Sequence, residues 1–298
     1  MTTDGYAQRV IDLHLHSKRS DGTDTPAELV TKAAAVRFDD GSALEAIALT
    51  DHDTTAGLAE ARATAEAFDL RLIGGCEVSA KFHSKSVHVL SYFIEDDSPM
   101  QTMLDELRHD RRVRNEKLIV ELNEGLGLER PLSFSELTEL AGGEEGIGRP
   151  HFATLLLDRG VAETSQELFD RYLGDKGAYY VPKSHLPPKD VIDKAAESGG
   201  VAVLAHPLLY GWTDDQLDGY LEELSRDGLV GVETYYSRFN ADQVALLERL
   251  AAEYGLVTTG GSDYHGTVKK DLSIGRGMGG LEVARECLDE LESRRPGN

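Results

Sequence analysis

The feature that most constrains this chain is an alternation of short apolar runs with amphipathic helical stretches, interrupted once. "RVIDLHL", "EAIALTDHD", "LRLIGGCEVSA" and "KSVHVLSYF" read as four strands near the amino end. A helix opened by Pro26, where proline is tolerated, follows the first and runs to about Val36. Another, over "AGLAEARATAEAF", follows the second. From Met100 to about Asp175 the pattern is helical throughout. One long charged helix ends at Gly125 or Gly127, and Ser133 with Glu136 forms a capping box ahead of a second. Two more helices cover "RPHFATLLLDRG" and "TSQELFDRYLG". Alternation then resumes, with strands at "VAVLAHP", "LVGVETYY" and "LVTTGGSDYHG" and a last helix at the carboxy end.

Repeated strand–helix units with right-handed crossovers imply a parallel sheet, and about seven strands imply closure into a barrel. A doubly wound open sheet is the alternative, but no glycine-rich dinucleotide fingerprint follows the first strand. The expected architecture is an α/β barrel built from residues 1–98 and 176–298, with residues 99–175 as a helical insertion covering its mouth.

Charge narrows the choice of partners. With 53 acidic against 31 basic residues the formal net charge is −22, which repels long polyanions and argues against tight binding of long nucleic acid. Small anionic substrates remain compatible, because bound metal ions reverse the local sign of a cleft. No apolar run approaches the roughly 18–20 residues that cross a bilayer, and "MTTDGYAQRV" lacks the pattern of a secretory signal. Cys76 and Cys287 are the only cysteines, so a reducing cytoplasm is the expected location.

The chemistry lies in what ends the strands. His14 and His16 end the first, His52 the second and Glu77 the third. His88 lies in the fourth, His206 ends "VAVLAHP", and Asp263 and His265 end "TTGGSDYH". In a parallel barrel the carboxyl ends of the strands open onto one face, so these residues would converge on one mouth. Residues i and i+2 of a strand point to the same side, so His14 and His16 can reach one ion, with Leu13 and Leu15 turned to the packing layer. The same holds for Asp263 and His265. Taken singly, each has an ordinary reading as a cap, a turn or a core residue. Six of the ten histidines at or near strand ends is another matter. Imidazole with carboxylate suits zinc, iron or manganese, and the lack of cysteine ligands argues against a closed structural zinc site. Two cations roughly 3.5–4 Å apart can share a water and lower its pKa.

Together "DLHLHSKRSDGTDTP", "ALTDHDT", "GCEVS", "VHVLSYF", "AHP" and "GSDYHG" resemble the PHP (polymerase and histidinol phosphatase) domain, nearest its stand-alone phosphoesterases acting on nucleotides. The resemblance spans Asp12 to Gly266 in order. It implies a distorted (β/α)7 TIM-like barrel holding two or three divalent ions. One ion would be bound by His14, His16, Glu77 and Asp263, a second by Asp21, His52 and His265, and a third by Glu77, His88 and His206. Asp21 stands where the family sometimes has histidine, an oxygen ligand that leans towards manganese or iron. The implied activity is hydrolysis of a phosphate monoester of a small nucleotide, a nucleoside 3′,5′-bisphosphate or monophosphate, by a metal-bridging hydroxide. Histidinol-phosphate phosphatase and 5′–3′ exoribonuclease action on short RNA are alternatives, as is a metal-binding interaction module without activity.

Substrate contacts are sought among cations. Arg149 in "GRPHFA" and Lys183 in "YVPKSH" are expected to clamp phosphate oxygens, with His151 and His185 as leaving-group acids and Arg238 as a further contact. Tyr235 and Tyr236 fit packing better than base stacking. His83 and His109 read as surface residues and Cys76 as a buried apolar one. The sequence leaves the oligomeric state open.

Overall fold

The computed structural model describes residues 10–141, 143–144, 147–174, 176–181 and 186–297. The chain forms two compact units, Met1–Leu104 with His185–Asn298 in one and Asp105–Ser184 in the other.

The first unit is a seven-stranded sheet in the order of the sequence: β1 (Val10–Leu15), β2 (Leu44–Leu49), β3 (Arg71–Phe82), β4 (Lys85–Tyr92), β5 (Val201–Leu204), β6 (Gly231–Tyr236) and β7 (Val257–Gly261). The sheet curls until its first and last strands meet. Asp263 N donates to His14 O at 2.9 Å and His16 N to Tyr264 O at 3.0 Å. Closure depends on Gly261, where a β-carbon would lie 2.4 Å from both the nitrogen and the β-carbon of His14.

The sheet is parallel, as the strand–helix repeats imply, except around one strand. β4 runs antiparallel to both β3 and β5, while the other pairs are parallel. The cause is local: His83 and Ser84, at φ 43° and 67°, make a two-residue turn from β3 into β4. Such turns join antiparallel strands, whereas a parallel return needs a crossover of a dozen or more residues. Glu77 likewise does not end its strand, because β3 continues past it to pair with β4.

Helices cover the sheet. α1 (Pro26–Ala35) carries Pro26 at its first position and a reciprocal cap between Thr25 and Glu28. It packs with α2 (Leu58–Ala67) through Leu29, Val30, Leu58 and Ala61 onto Leu15, Ile47 and Leu49. Leu13 belongs instead to the cluster of Ile11, Ala48 and Val203, because the β1–β2 register shifts between Asp12 and Leu15.

The second unit takes most of α3 (Pro99–Leu126), then α4 (Phe134–Ala141), α5 (Arg149–Asp158) and α6 (Ser165–Leu168), which runs on into a π turn over Phe169–Leu173. Its own core gathers Leu122, Leu132, Leu137, Phe152 and Leu156. Ser133 and Glu136 cap α4 reciprocally, and among the described residues the unit has no strand.

The first unit is completed by α7 (Pro188–Glu197), α8 (Asp214–Arg226), α9 (Ala241–Tyr254) and α10 (Arg285–Ser293). α10 buries Cys287, Leu288 and Leu291 against Ile11, Leu13 and Val257.

Candidate metal centre

β1 ends in two buried histidines whose ring centroids are 5.0 Å apart. Glu77 reaches both from β3: its Oε2 lies 3.1 Å from His14 Nε2 and 3.0 Å from His16 Nε2. The same oxygen lies 3.3 Å from His52 Nδ1. Oε1 faces the other way, 2.9 Å from His88 Nδ1 and 3.0 Å from His206 Nε2. The reversed direction of β4 matters here, since it presents His88 from the middle of the strand rather than from its end. Asp263 Oδ1 completes the near side at 3.6 Å from His14 Nε2 and 3.5 Å from His16 Nε2.

Asp21 arrives from a loop folded back on itself. Gly22 N donates to Ser17 O, and Ser17 and Ser20 both donate to the buried Asp51. The fold-back needs glycine, because a β-carbon at Gly22 would lie 2.4 Å from His16 O. Asp21 thereby faces His265 Nε2 at 3.2 Å and His52 Nε2 at 3.8 Å.

Nine side chains thus fall into four overlapping groups whose ligand atoms lie within 4.8 Å of one another: His16, Asp21, His52 and His265; His14, Glu77 and His206; His14, His16 and Asp263; His52, Glu77 and His88. These groups share members more freely than the three ligand sets the resemblance implies, where Glu77 alone is shared. His14, His16 and His52 each stand between two groups, as Glu77 does.

The cluster has the electrostatics of a cation site. His16 has both ring nitrogens buried and without a well-angled hydrogen bond among the described residues. Burial, with His265 and His52 beside it, pushes that imidazole down to about 3, so the ring is neutral and its lone pair available. For His14 burial disfavours charge, yet Glu233, Glu77 and Asp263 outweigh it and hold the ring well above the ordinary value. Burial would raise Glu77, but His52, His14 and His88 keep its carboxyl well below the usual range. Imidazole lone pairs and carboxylate oxygens crowded at 3.0–3.6 Å repel unless a proton or a cation lies between them. The donor set therefore fits divalent metal.

Residues the sequence reading did not place at the centre hold the ligands in position. Glu233, fully buried on β6, lies 2.8 Å from His14 Nδ1 through Oε1 and accepts from His206 N at 2.7 Å through Oε2. A carboxylate only accepts, so the Nδ1 proton belongs to this contact and Nε2 is left to bind metal. Tyr236 donates its hydroxyl to Asp263 Oδ2 at 2.7 Å, and Lys269 Nζ donates to the same oxygen at 2.5 Å. Asp12 accepts from Ser262 N and Gly275 N. Glu233 in "LVGVETYY" and Asp12 in "VIDLHL" did carry a signal: a lone acid in an apolar strand is buried, and buried charge must be paired.

Several strand-end residues sit in strained backbone. Asp53, His206 and Asp263 have φ of 53°, 25° and 54°. Such conformations cost on the order of 1–3 kcal/mol each and persist where the surroundings over-determine them.

The expected substrate contacts are more scattered. Arg149 is the first residue of α5, donates to Leu173 O at 3.1 Å and lies over the Tyr180 ring, all within the helical unit. His151 Nδ1 accepts from Gly148 N. Lys183 and His185 lie outside the described residues. Arg238 is exposed and paired with Asp271 at 3.0 Å. Tyr235 bonds Glu248. Cys76 is buried beside Glu77, and His83 occupies the exposed β3–β4 turn.

The PHP domain profile matches residues 12–171. A 3′,5′-nucleoside bisphosphate phosphatase from Chromobacterium violaceum is 30% identical over 285 residues, covering 95% of this chain and 97% of that protein. A 5′-3′ exoribonuclease from Haemophilus influenzae is 32% identical, covering 85% and 89%. A solved structure from Bifidobacterium adolescentis, classed as a metal-dependent phosphoesterase, superposes with a TM-score of 0.73 at 32% identity and 97% coverage of both chains.

Proposed function

The chain belongs to the PHP domain family and is a metal-dependent phosphoric ester hydrolase, and on that premise we propose that it removes a phosphate from a small nucleotide, a nucleoside 3′,5′-bisphosphate or monophosphate. The observation that carries the reading is Glu77, whose two oxygens face different histidine pairs and so can serve two ions at once.

In this reading His14, His16, Asp21, His52, Glu77, His88, His206, Asp263 and His265 hold two or three divalent ions of manganese, iron or zinc. Such ions lower the pKa of water towards neutrality and neutralise the charge that grows on phosphoryl oxygens. The chain supplies the rest. Glu233 fixes the tautomer of His14 and, through the backbone, the position of His206. Tyr236 turns Asp263 so that Oδ1 faces the histidines. The burial of His14, His16 and Glu77 excludes competing water and strengthens every charge interaction among them. No nucleophilic serine or cysteine is required, and the Cys76 thiol beside Glu77 is held protonated by burial.

The nucleotide assignment is supported by the Chromobacterium violaceum relative, which covers nearly the whole chain. Cleavage of short RNA from its 5′ end is the second reading, favoured by the Haemophilus influenzae relative. Among the described residues no helix is long and apolar enough to cross a membrane, and two buried unpaired cysteines are consistent with a reducing cytoplasm.

The test is a phosphate-release screen of the metal-loaded protein on nucleoside 3′,5′-bisphosphates, nucleoside monophosphates, histidinol phosphate and short 5′-phosphorylated RNA. Fastest turnover on a mononucleotide is expected. Preference for RNA would transfer the assignment to the second reading, and preference for histidinol phosphate would overturn both.

A further inference from the structure

Lys269 stands at the end of a short 3-10 turn, Gly266–Lys269, that leaves the centre directly after His265. The turn is pinned. Thr267 N donates to Thr23 Oγ1 at 2.9 Å, and Gly266 at φ 68° packs so close that a β-carbon there would overlap the same Thr23 hydroxyl. Thr23 belongs to the loop that delivers Asp21, so one rigid corner positions both a ligand and this lysine.

The division of labour on Asp263 is informative. Oδ1 faces His14 and His16, whereas Oδ2 takes hydrogen bonds from Tyr236 and Lys269. An ion bound through Oδ1 therefore need not displace the ammonium. An ammonium has three donors, and the bond to Asp263 Oδ2 occupies one. The side chain is 30% exposed, so the remaining donors have access to solvent beside the cluster. A partly exposed cation tethered next to a ligand carboxylate is placed to meet an incoming anion.

We propose that Lys269 is a substrate-contact residue: one N–H stays on Asp263 Oδ2 while the others meet the non-bridging oxygens of the phosphoryl group. The assignment rests on the phosphoesterase reading for its substrate. It also answers a need left by Arg238, which is paired with Asp271 instead.

The experiment compares the wild type with Lys269→Met and Lys269→Arg, all metal-loaded. Three quantities are read: bound metal, affinity for inorganic phosphate by calorimetry, and KM against kcat on the best ester. Lys269→Met should weaken phosphate binding and raise KM by at least about tenfold, with most of the metal retained because Tyr236 still holds Asp263 Oδ2. Lys269→Arg should recover most of the loss. Unchanged phosphate affinity in Lys269→Met overturns the inference, as does loss of metal in parallel with phosphate, which would make the lysine only a prop for Asp263. If the wild type hydrolyses no ester, the phosphoesterase reading falls by itself. The phosphate affinities then still decide for or against the Lys269 contact.

Discussion

His14 and Glu233, 219 residues apart in the chain, meet at 2.8 Å with neither exposed to solvent. The contact orients the ring and decides which nitrogen carries the proton. Glu233→Gln keeps the shape but can offer an N–H where an acceptor is needed. We expect metal affinity to fall by about 10–100-fold, checked by titration of the apo-protein with manganese or zinc. Unaltered affinity would remove Glu233 from any supporting role.

The two oxygens of Glu77 serve opposite sides of the cluster. Glu77→Gln should therefore release more metal than His88→Ala, which withdraws a ligand from one side alone. Metal analysis of the two purified variants against the wild type gives the comparison. Equal losses would contradict the bridging role.

Chelation should lower stability as well as activity. A cluster of six imidazoles and three carboxylates, six of the nine buried, is held together by whatever cation occupies it. A ligand present at 100 times its Kd stabilises the native state by about 2.7 kcal/mol. Thermal unfolding with and without chelator should differ by several degrees, and adding the divalent ion back should restore the higher Tm. Identical curves would mean that the described residues hold no ion.

Arg149→Ala examines the phosphate clamp expected from "GRPHFA". KM should rise, or kcat/KM fall, by at least about tenfold while metal content stays the same. Unchanged kinetics would reduce Arg149 to its structural part, the bond to Leu173 O.

Gly261→Ala addresses the closure of the barrel. The added carbon would press on His14 N and Cβ at 2.4 Å, and overpacking of this kind costs about 1–3 kcal/mol. Both Tm and metal binding should fall, because the displaced residue is a ligand. A variant as stable as the wild type would show that β1 and β7 separate without penalty.

Much of this protein was legible in its sequence, because strand–helix alternation is written in local periodicity and caps such as Thr25–Glu28 and Ser133–Glu136 are written within four residues. The eight side chains singled out by type and by place near strand ends come together in the fold, with Asp21, which the resemblance added, beside them. Distance-dependent matters were not legible. The hairpin at His83–Ser84 reverses β4 and so decides how His88 enters the centre. Which histidines share an ion is set by the packing of imidazoles across the mouth, and the grip of Glu233 on His14, or of Tyr236 and Lys269 on Asp263, exists only once β1, β6 and β7 are side by side. Periodicity is a property of neighbours along the chain. Coordination and hydrogen bonding are properties of neighbours in space, and here closing the sheet brings ligands as far apart as His14 and His265 into one site.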